Sequence, residues 1–319
     1  MNRVLAHTGA RYPIVQAPMG WIARAQLACA VSRAGGLGII ETSSGETENC
    51  QREIEAMVAL RRSEGLPFGV NLPIRFLKDE AMLRYVCGLA EDGALKFVTT
   101  SAGSPAKFIE PLKAAGAFVY HAVPTVDAAL RCVDAGVDGL VVEGAEGGGF
   151  KNPEEVSTLV LLQAIRNRCD VPMIAAGGIV DGRGMAAAFA CGAEGIQMGT
   201  RFVSCAESPV HLAYKAAIVE AKETGTVVLN KKGTPCIRTL KSKLTLEIHE
   251  AGVMSFETMK GIRRVYFDGD MEAAPALAGQ SAGLIDRVKT AQEIMDDTVT
   301  GFFEITARLG GLAHAGTFG

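Results

Sequence analysis

Residues 141–150 read VVEGAEGGGF, which sets two carboxylates and four glycines ahead of a phenylalanine. The consecutive glycines 147–149 present backbone with no Cβ to hold a flat or anionic ligand at a distance. Two further segments carry related equipment. Ala176-Gly177-Gly178 runs into Ile179-Val180-Asp181-Gly182-Arg183-Gly184, and Met198 runs into Gly199-Thr200-Arg201. Glycine at a helix start leaves backbone N–H groups free, and two such places together suit a phosphate. Asn71 offers a donor and an acceptor to the edge of a heterocycle, and the apolar Ala17-Pro18-Met19 offers its face a bed.

These residues need a scaffold that gathers them. Eight apolar or β-branched runs recur along the chain: 14–19, 37–42, 68–73, 96–103, 118–123, 139–144, 172–178 and 195–203. Amphipathic or alanine-rich helical patterns separate them, several closing on a glycine suited to a left-handed cap. That rhythm predicts parallel strands joined by right-handed crossovers, and eight units in about 200 residues predict a (β/α)8 TIM barrel. A doubly wound open sheet is the alternative. In a barrel the chemistry sits on the loops after the strands, where every segment above falls. A phosphate corner of this kind serves nucleotides, sugar phosphates and FMN alike, and the planar-ring surface beside it points to a flavin.

The end of the fifth run brings His121 to the mouth as a proton carrier; the competing reading is a histidine held by hydrogen bonds at the barrel top. Alternation sends Tyr120 outward into the helix layer. Trp21 either walls the ligand pocket or packs. The rhythm breaks after residue 210, so residues 1–210 are expected to form the FMN-binding barrel and 211–284 a small substrate or lid domain inserted after the eighth strand. Residues 285–319 hold a helix, from about Thr290 to Leu309, that returns to the barrel.

Of 319 residues, 48% are hydrophobic, ample for a buried core, and the formal net charge is only −3. No basic run interleaved with aromatics points to nucleic acid as a partner. Eight scattered cysteines, without CxxC or Cys/His clusters, suggest a reduced interior and no metal site. The sequence shows neither a signal peptide nor a stretch long enough to span a bilayer, so a cytoplasmic protein with a small-molecule substrate is expected. The Gly/Ala-rich surface of GMAAAFACGAEG suits either internal packing or a homodimer face.

Taken in order, PIVQAPMGW, AGGLGII, PFGVNLP, VTTSAGSP, EGAEGGG, PMIAAGGIVDGRG and GAEGIQMGTRF resemble the nitronate monooxygenases, formerly 2-nitropropane dioxygenases. The FMN-dependent enoyl-acyl carrier protein reductases share the fold and these motifs. The resemblance runs from about Tyr12 to Phe202 and thins toward the C-terminus. It implies non-covalent FMN with Ala17, Pro18 and Met19 under the ring and Asn71 at its polar edge. Glu143, Gly148 and Gly149 would lie beside it, and Ala176, Gly177, Gly178, Gly199 and Thr200 around the phosphate.

Many members carry a histidine next to the flavin where this chain has Phe150. A phenyl ring carries no proton, so Phe150 would shape the substrate instead. Nitronates, already anionic, need no base, and their oxidation with O2 is the first expected activity; turnover of neutral nitroethane is not expected. The alternative is NADH- or NADPH-driven reduction of an activated C=C bond, of the enoyl-CoA or enoyl-acyl carrier protein type, or of a quinone. IRTLKSKLT (237–245) resembles the reductases, and Arg238 and Lys241 would meet substrate or nucleotide phosphates unless that basic run is simply solvated surface. A catalytically silent flavin-binding protein is the third reading.

Overall fold

The computed structural model describes residues 1–77 and 80–314, the side chains of 313 and 314 excepted. Its strands are β1 (Ile14–Gln16), β2 (Gly38–Ile40), β3 (Phe68–Pro73), β4 (Phe97–Ser101), β5 (Phe118–Val123), β6 (Gly139–Glu143), β7 (Gly149–Phe150), β8 (Met173–Ala176), β9 (Gly195–Met198), β10 (Thr226–Leu229) and β11 (Ile237–Leu240). Eight of them form one parallel sheet in the order β1-β9-β8-β6-β5-β4-β3-β2, with helices in the crossovers. The sheet closes on itself where β2 returns to β1. Val15 bridges Leu37, and the Gln16 side-chain amide then imitates a strand, accepting from the Ile39 N–H at 3.2 Å and donating to the Ile39 carbonyl at 3.2 Å. The result is a (β/α)8 barrel.

Alternation along the strands divides their side chains between two cores. Val15, Leu37, Ile39, Phe97, Val141, Ile174 and Ala176 fill the barrel, plugged from below by Val4 of the N-terminal helix Arg3–Thr8. Their neighbours, among them Val70, Val98, Val119, Leu140, Val142 and Ile196, face the helices. Each fully buried aliphatic side chain contributes about 1.5–3 kcal/mol, so the direction each residue faces is strongly enforced.

That division corrects the expected directions in β5. Tyr120 points into the barrel, packs on Phe97 and reaches His7 Nδ1 with its hydroxyl at 3.0 Å. The ring fits because Gly139 in the neighbouring strand has no Cβ; one there would collide with it. His121 therefore turns the other way. It lies in the wall, buried, with Nδ1 2.7 Å from Thr100 Oγ1 and a further hydrogen bond to the Gly103 backbone.

The first and eighth strands stop earlier than their apolar runs suggested, at Gln16 and Met198, and Thr200–Val203 is a helical turn. Beyond it lie the helix Leu212–Val219, the β10–β11 hairpin and the helix Lys243–Ala251. The last helix, Ala291–His314, packs on Gly182–Ala190. Gly182 lies against the backbone of Gly301 and Phe302, so the small-residue surface read as a candidate dimer face receives a helix of the same chain. Among the described residues no helix is long and apolar enough to cross a membrane, and no group of metal-ligating side chains occurs.

Candidate active site

The strands' C-terminal ends bring most of the singled-out residues to one mouth. The Ala17 N–H donates to the Met198 carbonyl at 3.0 Å, which seats the Ala17–Met19 loop beside Gly199. A Cβ added to Gly199 would touch Ala17 Cβ at 3.6 Å and Met19 Sδ at 3.9 Å. Thr200 Oγ1 accepts from the Gly279 N–H at 2.9 Å, which ties the segment around 279 across the mouth. Glu143 stands opposite Ala176 in the β6–β8 register.

The glycine run is explained in part by the chain itself. A Cβ on Gly148 would lie 2.6 Å from the Ala278 carbonyl carbon and 2.7 Å from the Gly279 nitrogen. The close approach at 148 is therefore to backbone of the same molecule, where the residue pattern alone suggested a ligand. Gly149 needs its glycine for another reason, a φ of +77° in the left-handed region.

Several polar groups remain open in this mouth. Asn71 Oδ1 accepts from Thr99 Oγ1 at 3.0 Å, while its amide nitrogen has no partner among the described residues. Gln197 alternates with the outward Ile196 and Met198, and its Oε1 is buried without a partner. The backbone N–H groups of Gly178 and Thr200 likewise meet no acceptor among the described residues. A buried polar atom such as Gln197 Oε1 is rarely left so, and this acceptor together with the three open donors matches what an isoalloxazine edge and a phosphate would satisfy. The residues present fit FMN. Inside GIQMGT the inward phase of its strand is the one signal the sequence offers for Gln197.

Two other groups were missed. Lys151 pairs its ammonium with Glu143 Oε1, and its side chain is only 3% exposed. Glu41, fully buried at the end of β2, accepts from the N–H groups of Trp21 at 3.1 Å, Ser43 at 2.6 Å and Ser44 at 3.0 Å, and from Arg24 at 2.8 Å. This network holds Trp21 at a φ of +60° and so fixes the turn after Ala17–Met19. Trp21 itself lines a small polar pocket with Arg24, Glu46 and Arg263.

Phe150 lies on the two-residue strand β7, which pairs with β11 so that Ile237 faces Phe150 and Arg238 faces Gly149. Its ring is 5.6 Å from that of Phe76 in the loop after β3 and 6.2 Å from that of Phe256 beyond the hairpin. Three rings from three distant segments thus form one apolar lip.

The remaining sites fall elsewhere. Burial holds the His121 imidazole down at about 4, so it is neutral near pH 7, and it faces the helix layer; it is a satisfied wall histidine. Arg238 is buried and engaged at all three nitrogens, by Ala145 O at 2.8 Å, Thr226 Oγ1 at 3.2 Å and Glu155 Oε1 at 3.2 Å. Its role is to tie the loop after β6 to the hairpin, which leaves the phosphate reading to Lys241. Lys241 is exposed beside a cavity of about 400 Å³ shared with Lys231, His249 and Gln280.

A barrel with this mouth suits a flavin, and comparison with known proteins gives the class, an oxidoreductase. The nitronate monooxygenase family model matches residues 2–85 and 80–301, and the chain belongs to that family. It is similar to FabK from Thermotoga maritima, 37% identical over 98% of this chain and 99% of that one, with a TM-score of 0.88. A probable nitronate monooxygenase of Staphylococcus haemolyticus is 30% identical over 71% of this chain and 74% of its own length. A (3aS,4S,5R,7aS)-5-hydroxy-7a-methyl-1-oxo-octahydro-1H-indene-4-carboxyl-CoA dehydrogenase of Rhodococcus jostii (strain RHA1) is 28% identical over 95% of this chain and 96% of its own length. The protein is an FMN-dependent oxidoreductase.

Proposed function

We propose that this enzyme reduces the activated C=C bond of a bulky, apolar acyl thioester, with NADH or NADPH as electron donor. The observation that carries the reading is the lip of Phe76, Phe150 and Phe256, an apolar rim assembled from three segments where a small alkyl substrate would need none. Two similarities support it: FabK is an enoyl-acyl carrier protein reductase, and the Rhodococcus relative is named for a ring-bearing CoA thioester.

FMN, when bound, supplies two-electron transfer between a reduced pyridine nucleotide and a conjugated double bond. Ala17, Pro18, Met19, Asn71, Gln197 and Glu143 would hold its ring system, with Gly148 and Gly149 beside it. The N–H groups of Gly177, Gly178, Gly199 and Thr200, next to Ala176, would hold its phosphate. Residues 211–284 act as the substrate-side lid, and Lys241 with its cavity receives the phosphate-bearing end of the thioester. His121 is turned into the wall and position 150 carries a phenyl ring, so neither delivers the proton for the α-carbon, and solvent is the proposed source.

Nitronate oxidation is the second reading, and the same missing imidazole favours it, because a nitronate asks for no base. Anaerobic stopped-flow of the purified yellow protein separates the two. Bleaching of the flavin band by NADH or NADPH and not by an alkyl nitronate is the expected result; bleaching by nitronate alone refutes the reductase reading.

A further inference from the structure

We propose that Lys151 holds the negatively charged oxygen of the substrate, a role in which it replaces the proton-bearing side chain that position 150 lacks; this rests on the mouth being the flavin site. The chain is extended here. The Lys151 N–H donates to the Cys236 carbonyl at 2.9 Å, continuing the β7–β11 ladder by one residue. Successive side chains of an extended segment face opposite sides. Phe150, 47% exposed, goes to the lip, and Lys151 turns inward to Glu143 at the end of β6.

The ammonium is incompletely satisfied there. It has three donors, and Glu143 is its one protein acceptor among the described residues. Glu143 makes burial of the charge tolerable, and the remaining donors still call for an acceptor that a ligand would bring. The first glycine of the run fits the same picture. A Cβ on Gly147 would lie 2.7 Å from Glu143 Oε1 and 2.8 Å from Lys151 Nζ, so glycine leaves the pair its place beneath the loop. The ligand class is a substrate whose oxygen carries negative charge, as a thioester carbonyl does when hydride reaches its β-carbon; a nitronate has that charge from the start.

The test uses the FMN-loaded protein and two probes of one shape, 4-phenylbutanoate and the neutral 4-phenylbutanamide, each titrated against the flavin absorption band. Wild type is expected to bind the carboxylate more tightly than the amide. Lys151→Met should weaken carboxylate binding by about 10- to 100-fold, the worth of one charge-assisted hydrogen bond, and leave amide binding unchanged. Lys151→Arg should retain most of the preference. Equal binding of the carboxylate by wild type and Lys151→Met overturns the proposal, as does an equal loss of both probes, which is what a merely structural lysine would give. A wild-type protein that purifies colourless and takes up no FMN sinks the flavin reading itself, and absorbance reports that separately.

Discussion

Replacing Gly148 by alanine tests whether the mouth is built by backbone packed on backbone. The new methyl would sit 2.6 Å from the Ala278 carbonyl carbon and 2.9 Å from its Cα, and ordinary contact begins near 3.4 Å, so the 278–279 segment must retreat by about 0.8 Å. Neither partner is the end of a flexible side chain. The shift would also strain the Gly279–Thr200 and Gln280–Glu146 hydrogen bonds, both on the same segment. Overpacking of this kind costs about 1–3 kcal/mol, and the rigid neighbours place Gly148→Ala near the upper end. Gly149→Ala supplies the control, since its Cβ meets only Leu277 at 3.9 Å and its cost is the left-handed φ of +77°, about 1 kcal/mol. Urea titration followed through the single tryptophan, Trp21, would compare the variants. Gly148→Ala should be the less stable by about 1–2 kcal/mol and should lose FMN more readily. A Gly148→Ala protein within about 0.5 kcal/mol of wild type, or one more stable than Gly149→Ala, would show that the segment yields easily and would refute the packing account.

Three further outcomes are expected. Gln197→Leu, which removes the buried unpartnered oxygen, should lower FMN affinity about tenfold, read by fluorescence on flavin release, with little change in thermal stability. Phe256→Ala opens one side of the lip and should raise KM for bulky acyl thioesters while leaving short-chain substrates nearly unaffected. His121 titrates in the folded state at about 4, below its ordinary 6.5, because burial favours the neutral ring. The stability this confers is present above about pH 6.5 and is lost as pH falls toward 4, up to about 3 kcal/mol. His121→Gln should flatten that stretch of the pH–stability curve, and an unchanged curve would show that the ring takes up its proton in the fold as readily as in the unfolded chain.

The eightfold rhythm was legible because each barrel strand is a short apolar run and each crossover closes on turn chemistry. Phase within a strand was harder to read. Placing His121 at the mouth sends Tyr120 outward by alternation, and only Gly139 in the next strand, together with His7 more than a hundred residues upstream, makes the inward position of Tyr120 comfortable. Gly177, Gly178, Gly199 and Thr200 stand out in the sequence because glycine beside a helix start is a local signal, and the fold gathers them at the strands' C-terminal ends. Lys151 and Glu41 could not, since what distinguishes them is burial against partners that adjacent sequence does not reveal. Arg238 shows the opposite error. A basic residue in a basic run suggests a phosphate contact, yet it is buried and engaged at all three nitrogens by its own chain.

The pairing of β7 with β11 also bears on the order in which the molecule takes shape. Residues 149–150 leave the ribosome long before residues 237–238, so the loop that carries Phe150 and Lys151 waits for almost ninety further residues before its ladder exists. The eight barrel strands are all made by then, and they can close around their core while the mouth is still unformed. A chain halted near residue 210 would thus hold all eight barrel strands but neither the hairpin partner of Phe150 nor the last helix that packs on Gly182–Ala190, so the mouth is finished from the C-terminal end of the sequence.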